Sequence, residues 1–146
     1  AHWLGYRVVV SDDRAEFANE AVVPCADQYH VGPASELADH LSIDSQTYIL
    51  LTTRNIGVDV GCLPALLKTK AAYVGVIGSK RRWAMARSKI VEAGVSESVL
   101  ARVVSPIGLD INAETPEEIA VSILAEVTRC RRGGSGESIS ADTPGS

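Results

Sequence analysis

Short apolar runs recur along the chain, separated by polar turns and by segments of helical periodicity. The runs at residues 7–10, 28–31, 47–53 and 71–77 predict strands. The run at 47–53 is apolar at nearly every position, which is typical of a strand covered on both faces. The pattern therefore predicts a parallel sheet.

Helix start signals lie between these strands. Ser35 is a predicted N-cap, and the glycines at 57–61 interrupt the chain before a short helix with Pro64 in its first turn. Ser79 begins a further helix, and the last helix has the strongest signal, with Thr115 as cap and a proline directly after it. Alternating strands and helices predict an α/β fold with a parallel sheet and helices on both faces. Ligands bind such sheets beyond the carboxyl ends of the strands.

Composition indicates a single globular domain. The chain has 146 residues, of which 46% are hydrophobic and 22% charged, and its net charge is 14 − 18 = −4. This charge argues against a nucleic-acid partner, and no apolar run approaches the roughly 20 residues needed to cross a membrane. Because the three cysteines are scattered and no export signal is visible, we expect a cytoplasmic protein. We predict one domain over 1–132 and a disordered Gly/Ser-rich tail over 133–146.

The first strand end carries candidate ligand-binding residues. Asp12 lies just after the strand, where dinucleotide-binding folds place an acid on a ribose hydroxyl, and Arg14 could hold a phosphate. The alternative is that these polar residues only end the strand and begin a turn.

A second candidate site lies at GVIGSKRR, residues 75–82. Glycines end the apolar run here, and Ser79 would cap a helix whose first N–H groups and dipole attract anions. Lys80, Arg81 and Arg82 lie in the first helical turn, where cations are unfavourable unless an anion compensates them. The coincidence of glycines and cations favours phosphate binding, whereas a solvated basic helix face is the alternative.

The segment SPIGLDINAETPEE, residues 105–118, leads into the strongly capped last helix. Gly108 and Asp110 lie among apolar residues, so we expect Asp110 to be partly buried and to need partners. Asp110 either has a functional role or only satisfies amide groups of the loop. The three histidines show no ligand spacing, so no metal site is predicted.

Two of these segments resemble a known family. YVGVIGSKRR at 73–82 and SPIGLDINAETPEEIAVSILAE at 105–126 are similar to the C-terminal domain of the xanthine dehydrogenase accessory (XdhC/CoxI) family. VSDDRAEF at 10–17 and LLTTRN at 50–55 agree in position. The resemblance covers about residues 3–132 and implies a Rossmann-like domain.

The resemblance also implies a function. Members of this family are maturation factors that bind the molybdenum cofactor (molybdopterin), assist its sulfuration with a cysteine desulfurase and deliver it to a molybdenum hydroxylase apoenzyme. The implied role is a cofactor chaperone rather than a stand-alone catalyst. The family pattern carries over onto these cofactor-binding candidates: Asp12, Arg14, Thr53, Arg54, Gly78, Ser79, Lys80, Arg81, Gly108 and Asp110.

The sequence departs from the family pattern in two respects. Ile56 stands where many members have a histidine, and the first strand with its Gly-rich turn is missing. Either the sequence is a fragment, or a neighbouring chain or a rearranged segment occupies the place of that strand. Because two buried strands would lose a partner, we expect a homo-oligomer.

Two alternative functions follow from the same residues. An NAD(P)-dependent oxidoreductase would use Asp12 for ribose, but the missing turn weakens the binding of NAD(P). An interaction domain that docks the hydroxylase without any ligand is the other alternative.

Overall fold

The computed structural model describes residues 1–140, and within them the chain forms five short strands and five α-helices. The strands are β1 (Val9–Asp12), β2 (Gln28–Val31), β3 (Tyr48–Leu51), β4 (Tyr73–Val76) and β5 (Val103–Val104). The helices are α1 (Leu37–His40), α2 (Ile56–Leu66), α3 (Lys80–Glu92), α4 (Glu97–Leu100) and α5 (Pro116–Arg132). The chain divides into two compact units, Ala1–Pro106 and Ile107–Ser146. All five strands belong to the first unit.

Every strand pair is parallel, which confirms the predicted α/β architecture. β1 pairs with β2, and β4 pairs with β3 on one side and β5 on the other. Within the described residues the strands form one sheet of two and one sheet of three, as expected for a Rossmann-like sheet that lacks its first strand. The physical reason is that no described strand pairs with the second edge of either β1 or β3.

The free edges of β1 and β3 can be assigned from the backbone hydrogen bonds. On β1, the carbonyls of Val8 and Asp12 accept hydrogen bonds from the β2 side. Since backbone groups alternate in direction along a strand, those of Val9 and Ser11 point to the free edge. On β3, Leu51 accepts from the residue after β4, so the groups of alternate residues such as Leu50 point away from β4.

Side chains rather than backbone groups join β1 to β3. The ring of Tyr6, before β1, meets the ring of Tyr48, the first residue of β3, edge to face, with their centroids 6.0 Å apart. Beyond the strands, Arg54 forms a double hydrogen bond with Asp13, at 2.9 and 2.8 Å. The two strands therefore run in the same direction, with their carboxyl ends held together.

The start of α2 differs from the prediction. The helix begins at Ile56, because the Asn55 side chain accepts a hydrogen bond from the Val58 amide at 3.1 Å and caps the first turn. The glycines at 57–61 that were expected to interrupt the chain lie within the helix, and Pro64 lies near its end.

The predicted N-cap at Ser35 is also wrong. The residues Ala34–Glu36 form a 3-10 turn, and the following α1 has Glu36 at its cap position with no side-chain hydrogen bond.

The core of the first unit is built from α2, α3 and β4. Leu63 and Leu66 of α2 and Ile90 of α3 have no measurable exposure, and all four residues of β4 are buried. A buried leucine or isoleucine contributes roughly 1.5–3 kcal/mol relative to an exposed one. This packing fixes the ends of the two helices that begin at the carboxyl edges of β3 and β4.

The second unit contains α5, which begins at the predicted capping box. The Thr115 hydroxyl accepts from the Glu118 amide at 3.2 Å, and the Glu118 carboxylate accepts from the Thr115 amide at 3.0 Å. Hydrogen bonds from the amides of Thr115 and Glu114 to this carboxylate hold the pKa of Glu118 below its usual value. The helix ends at Gly133, and residues 133–140 of the predicted tail are exposed, without helix or strand. The rest of that tail, 141–146, lies outside the described residues.

Candidate functional site

The end of β1 is a closely paired group of charges. Arg14 donates to both oxygens of the Asp12 carboxylate, from Nε at 2.8 Å and from a terminal nitrogen at 3.0 Å. The Arg14 amide donates to the same carboxylate at 3.0 Å. The hydrogen bond from the Arg14 side chain is the main reason that the pKa of Asp12 falls to about 2. Asp12 is therefore ionised at neutral pH, and both of its carboxylate oxygens already accept hydrogen bonds.

Arg54, in the loop that follows β3, completes this group. Arg54 binds Asp13 through two hydrogen bonds and lies 3.9 Å from an Asp12 oxygen. This pairing lowers the pKa of Asp13. The structure thus brings together the predicted residues Asp12, Arg14 and Arg54, with Asp13 as the fourth member. The two carboxylates balance the two guanidinium groups, so a hydroxyl or phosphate would have to compete with existing bonds.

Thr53, Asp59 and Arg82 form a closed hydrogen-bonded ring. A terminal nitrogen of Arg82 donates to Asp59 Oδ2 at 2.7 Å and to Thr53 Oγ1 at 2.8 Å, and the Thr53 hydroxyl donates to Asp59 Oδ1. Asp59 has no exposed surface, whereas 22% of the Arg82 side chain is exposed. The ring is neutral and largely buried. The Thr53 hydroxyl already donates its proton to Asp59, so this proton is not available to a ligand.

The first turn of α3 contains the predicted anion site. The Ser79 hydroxyl caps the helix by accepting from the Arg82 amide at 3.1 Å. Gly78 has a φ of 140°, which side chains rarely adopt, and a Cβ there would lie 2.9 Å from Cδ of Arg82. Lys80 and Arg81 are exposed, and within residues 1–140 neither takes part in an ion pair or side-chain hydrogen bond. Two uncompensated cations therefore stand at the positive end of a helix.

Gly108 and Asp110 belong to the second unit. The Gly108 amide donates to Oε2 of the buried Glu126 at 2.8 Å, and a Cβ on Gly108 would overlap the Ser122 hydroxyl. Ser122 in turn donates to the carbonyl of Leu109 at 2.6 Å. Gly108 thus has a packing role against α5. Asp110 is exposed, so the expectation that it is partly buried is wrong. The hydrogen bonds of this loop are supplied by α5 instead.

Residues 1–140 contain neither a metal-ligand cluster nor a membrane-spanning helix. No group of three or more His, Cys, Asp and Glu side chains is placed to hold a metal ion there. In the same part of the chain, no helix is both long enough and apolar enough to cross a membrane.

Asp59 is not among the site residues predicted from the sequence, and the sequence does not distinguish Arg82 from Lys80 and Arg81. A signal for Asp59 was present, since it is an acid between two valines in an otherwise apolar helix. Such an acid needs a buried partner. The pairing with Arg82 required the fold, because the two residues are 23 positions apart in the chain.

The comparisons with known proteins agree with this architecture. The family described as the XdhC Rossmann domain matches residues 1–127. The molybdenum cofactor insertion chaperone PaoD of Escherichia coli is 30% identical over 68% of this chain and 30% of its own length. A probable xanthine dehydrogenase subunit of Bacillus subtilis is 28% identical over 88% of this chain and 37% of its own length.

A solved structure shares the fold. The crystal structure of a xanthine dehydrogenase from Bacillus halodurans superposes with a TM-score of 0.75 at 29% identity, over 89% of this chain and 38% of that chain. The chain thus spans less than two fifths of the length of each of these relatives. With its parallel strands and the match over residues 1–127, the chain belongs to the XdhC family and forms its Rossmann domain.

Proposed function

We propose that this chain is the cofactor-binding domain of a maturation factor for molybdenum hydroxylases. The observation that carries the proposal is the pair of uncompensated cations, Lys80 and Arg81, at the capped start of α3. This position lies at the carboxyl edge of β4, where α/β sheets bind ligands. The names of the relatives support the proposal, since one is a molybdenum cofactor insertion chaperone and another is a probable xanthine dehydrogenase component.

The residues at the start of α3 fit an anionic cofactor. The molybdenum cofactor supplies a phosphate group, which needs charge-assisted donors. Lys80 and Arg81 supply them with side chains that have no competing partner in the described chain. The first amides of α3 add donors without an internal acceptor. Gly78 leaves this approach free of a side chain.

The charged residues at the ends of β1 and β3 act beside this phosphate position in the proposal. Asp12, Arg14 and Arg54, together with Asp13, form a neutral group at the neighbouring strand ends and orient the loops there. We propose that the cofactor receives its sulfido ligand with a cysteine desulfurase and passes to a hydroxylase apoenzyme, in the cytoplasm. A pull-down of the apoenzyme by the full-length protein tests the partner directly.

The test of cofactor binding compares two charge reversals on the same helix. Arg81→Glu should weaken the binding of molybdenum cofactor by roughly 2–4 kcal/mol, because a charge-assisted bond is lost and repulsion is added. Lys89→Glu is the matched control, since Lys89 is exposed in the last turn of α3 and the change in charge is the same. Affinity is measured by anaerobic titration, with circular dichroism as the folding control.

Two results would contradict the proposal. One is full cofactor affinity in folded Arg81→Glu, and the other is an equal loss in both variants.

NAD(H) and NADP(H) are titrated alongside, and we expect dissociation constants of about 1 mM or weaker, or roughly −4 kcal/mol. Micromolar binding of either dinucleotide would favour the oxidoreductase function instead. Binding of neither class, with apoenzyme docking retained, would favour the interaction domain.

A further inference from the structure

The three consecutive cations at the start of α3 are not equivalent. Lys80 and Arg81 are exposed, but the Arg82 side chain turns toward α2 and is 22% exposed. Its guanidinium is bound to a carboxylate, so Arg82 adds no uncompensated charge to the surface. A phosphate at this helix end would meet two free cations rather than three.

The Arg82 side chain is held in place because its removal would leave a buried carboxylate without a counter-charge. Asp59 is completely buried, and its carboxylate accepts hydrogen bonds from Arg82 and from Thr53. If Arg82 moved to an external anion, a buried carboxylate would lose its counter-charge, which is strongly unfavourable. The remaining partner, the Thr53 hydroxyl, is neutral and cannot replace the guanidinium.

The contacts of Arg82 connect the loops that follow two neighbouring strands. Its side chain donates to the carbonyl and the hydroxyl of Thr53, after β3, at 3.2 and 2.8 Å. Its amide donates to the Ser79 hydroxyl, and its Cδ lies over Gly78, after β4. One residue thus sets the distance between the two loops at the candidate ligand edge.

We infer that Arg82 and Asp59 are positioning residues of the anion site, and that Lys80 and Arg81 alone supply its charge. The inference rests on the proposed function. The guanidinium of Arg82 holds the loop at Thr53 against the loop at Gly78, and the carboxylate of Asp59 fixes the guanidinium. The ring itself makes no contact with the bound anion.

The salt dependence of cofactor affinity separates a positioning residue from a direct ligand. In Arg81→Met we expect a loss of about tenfold or more, and a weaker dependence of the dissociation constant on NaCl, because one contacting charge is gone. In the double variant Asp59→Leu/Arg82→Met we expect a loss of about tenfold from displaced loops with the wild-type salt dependence. Arg82→Lys keeps the charge near Asp59 and should recover part of the affinity.

Hydrogen exchange provides a readout that does not need the cofactor. The hydrogen-bonded amides of Val58, at the cap after β3, and of Arg82 and Trp83, at the cap after β4, should exchange faster in the double variant and in Arg82→Lys, and at the wild-type rate in Arg81→Met. Unchanged exchange in the Arg82 variants would overturn the inference, as would a reduced salt dependence or full affinity in the double variant. If the wild-type protein binds no cofactor, the proposed function fails, whereas the exchange result still decides whether Arg82 positions the loops. If the double variant does not fold, Arg82→Lys carries both measurements.

Discussion

The buried carboxylate of Asp59 shapes the chemistry of its neighbours at the residue scale. Cys62 lies one turn further along α2, is 2% exposed, and its thiol donates to the Asp59 carbonyl with a sulfur–oxygen distance of 3.7 Å. Burial, together with the negative charge of Asp59, raises the pKa of Cys62 to about 12. The thiol therefore stays protonated at any physiological pH, which makes Cys62 a packing residue.

Thiol labelling tests this assignment. With a maleimide at pH 8 we expect the exposed Cys25 and Cys130 to react in the native protein and Cys62 to stay unmodified. A pKa near 12 leaves only about one Cys62 in ten thousand as thiolate at that pH. Peptide mapping by mass spectrometry gives the modified positions, and the guanidinium-unfolded protein, in which all three should react, is the control. Labelling of native Cys62 as fast as Cys25 would refute the assignment.

The loop before α5 illustrates packing at the element scale. Leu109 donates from its amide to the Ser122 carbonyl at 3.2 Å and accepts from the Ser122 hydroxyl at 2.6 Å. The close approach that these bonds require leaves no room for a side chain at Gly108, whose φ is 103°. A segment that resembles a binding loop in sequence therefore has a clear structural function.

A double-variant cycle measures this packing. Gly108→Ala should lower the free energy of unfolding by roughly 2–4 kcal/mol, because the new methyl group overlaps the Ser122 hydroxyl and the φ value is strained. Ser122→Ala should cost about 1 kcal/mol through the lost hydrogen bond. Combining them removes the overlap, so the double variant should be destabilised by less than the sum of the two. Urea denaturation gives all three values, and simple additivity would contradict the contact.

Elements with local signals were predictable from the sequence. The capping box at Thr115 and the cap at Ser79 depend on side chains within three residues of the helix start, and both are confirmed. At the start of α2 the local signals conflict, because Asn55 is a favourable cap whereas Gly57 and Gly61 disfavour a helix, and the burial of the helix decides the outcome.

The candidate site was only partly predictable, because some of its contacts are local in the sequence and others are not. The exposed cations Lys80 and Arg81 follow from local sequence, since they lie beside the cap that positions them. The pairs Asp59–Arg82 and Asp13–Arg54 join residues that are distant in the chain. Such pairs exist only after the strands have aligned, so no local pattern indicates them.

At the scale of the whole molecule, the unpaired edges of β1 and β3 have the largest consequences. The backbone groups of Val9 and Ser11 on β1 face no described strand. On β3, the backbone groups that point away from β4, such as those of Leu50, also face no described strand. Unpaired edges of this kind bind other strands. The predicted homo-oligomer remains a prediction, and these edges offer a physical route to it.

Two proline variants test the oligomer prediction. The 146-residue chain should associate with increasing concentration, as measured by light scattering over a dilution series. Val9→Pro removes an amide donor from the free edge and should reduce association at little cost to folding. Val10→Pro is the control, because its amide faces β2 and its loss should cost at least about 1 kcal/mol of stability. A monomer at every concentration, or equal association in wild type and Val9→Pro, would contradict the prediction.

The parallel direction of all the strand pairs also has a kinetic consequence. No hairpin is available as a nucleus within the described strands, because each parallel pair needs a connection that crosses back to the start of the next strand. β3 and β4 can pair only after α2 and the loops around it have brought Tyr73 beside Tyr48. The strand pairs that must form are therefore distant in sequence, and closing such loops is slow. We expect refolding of the first unit on a timescale of roughly milliseconds to seconds, slower than that of a helical bundle of the same length.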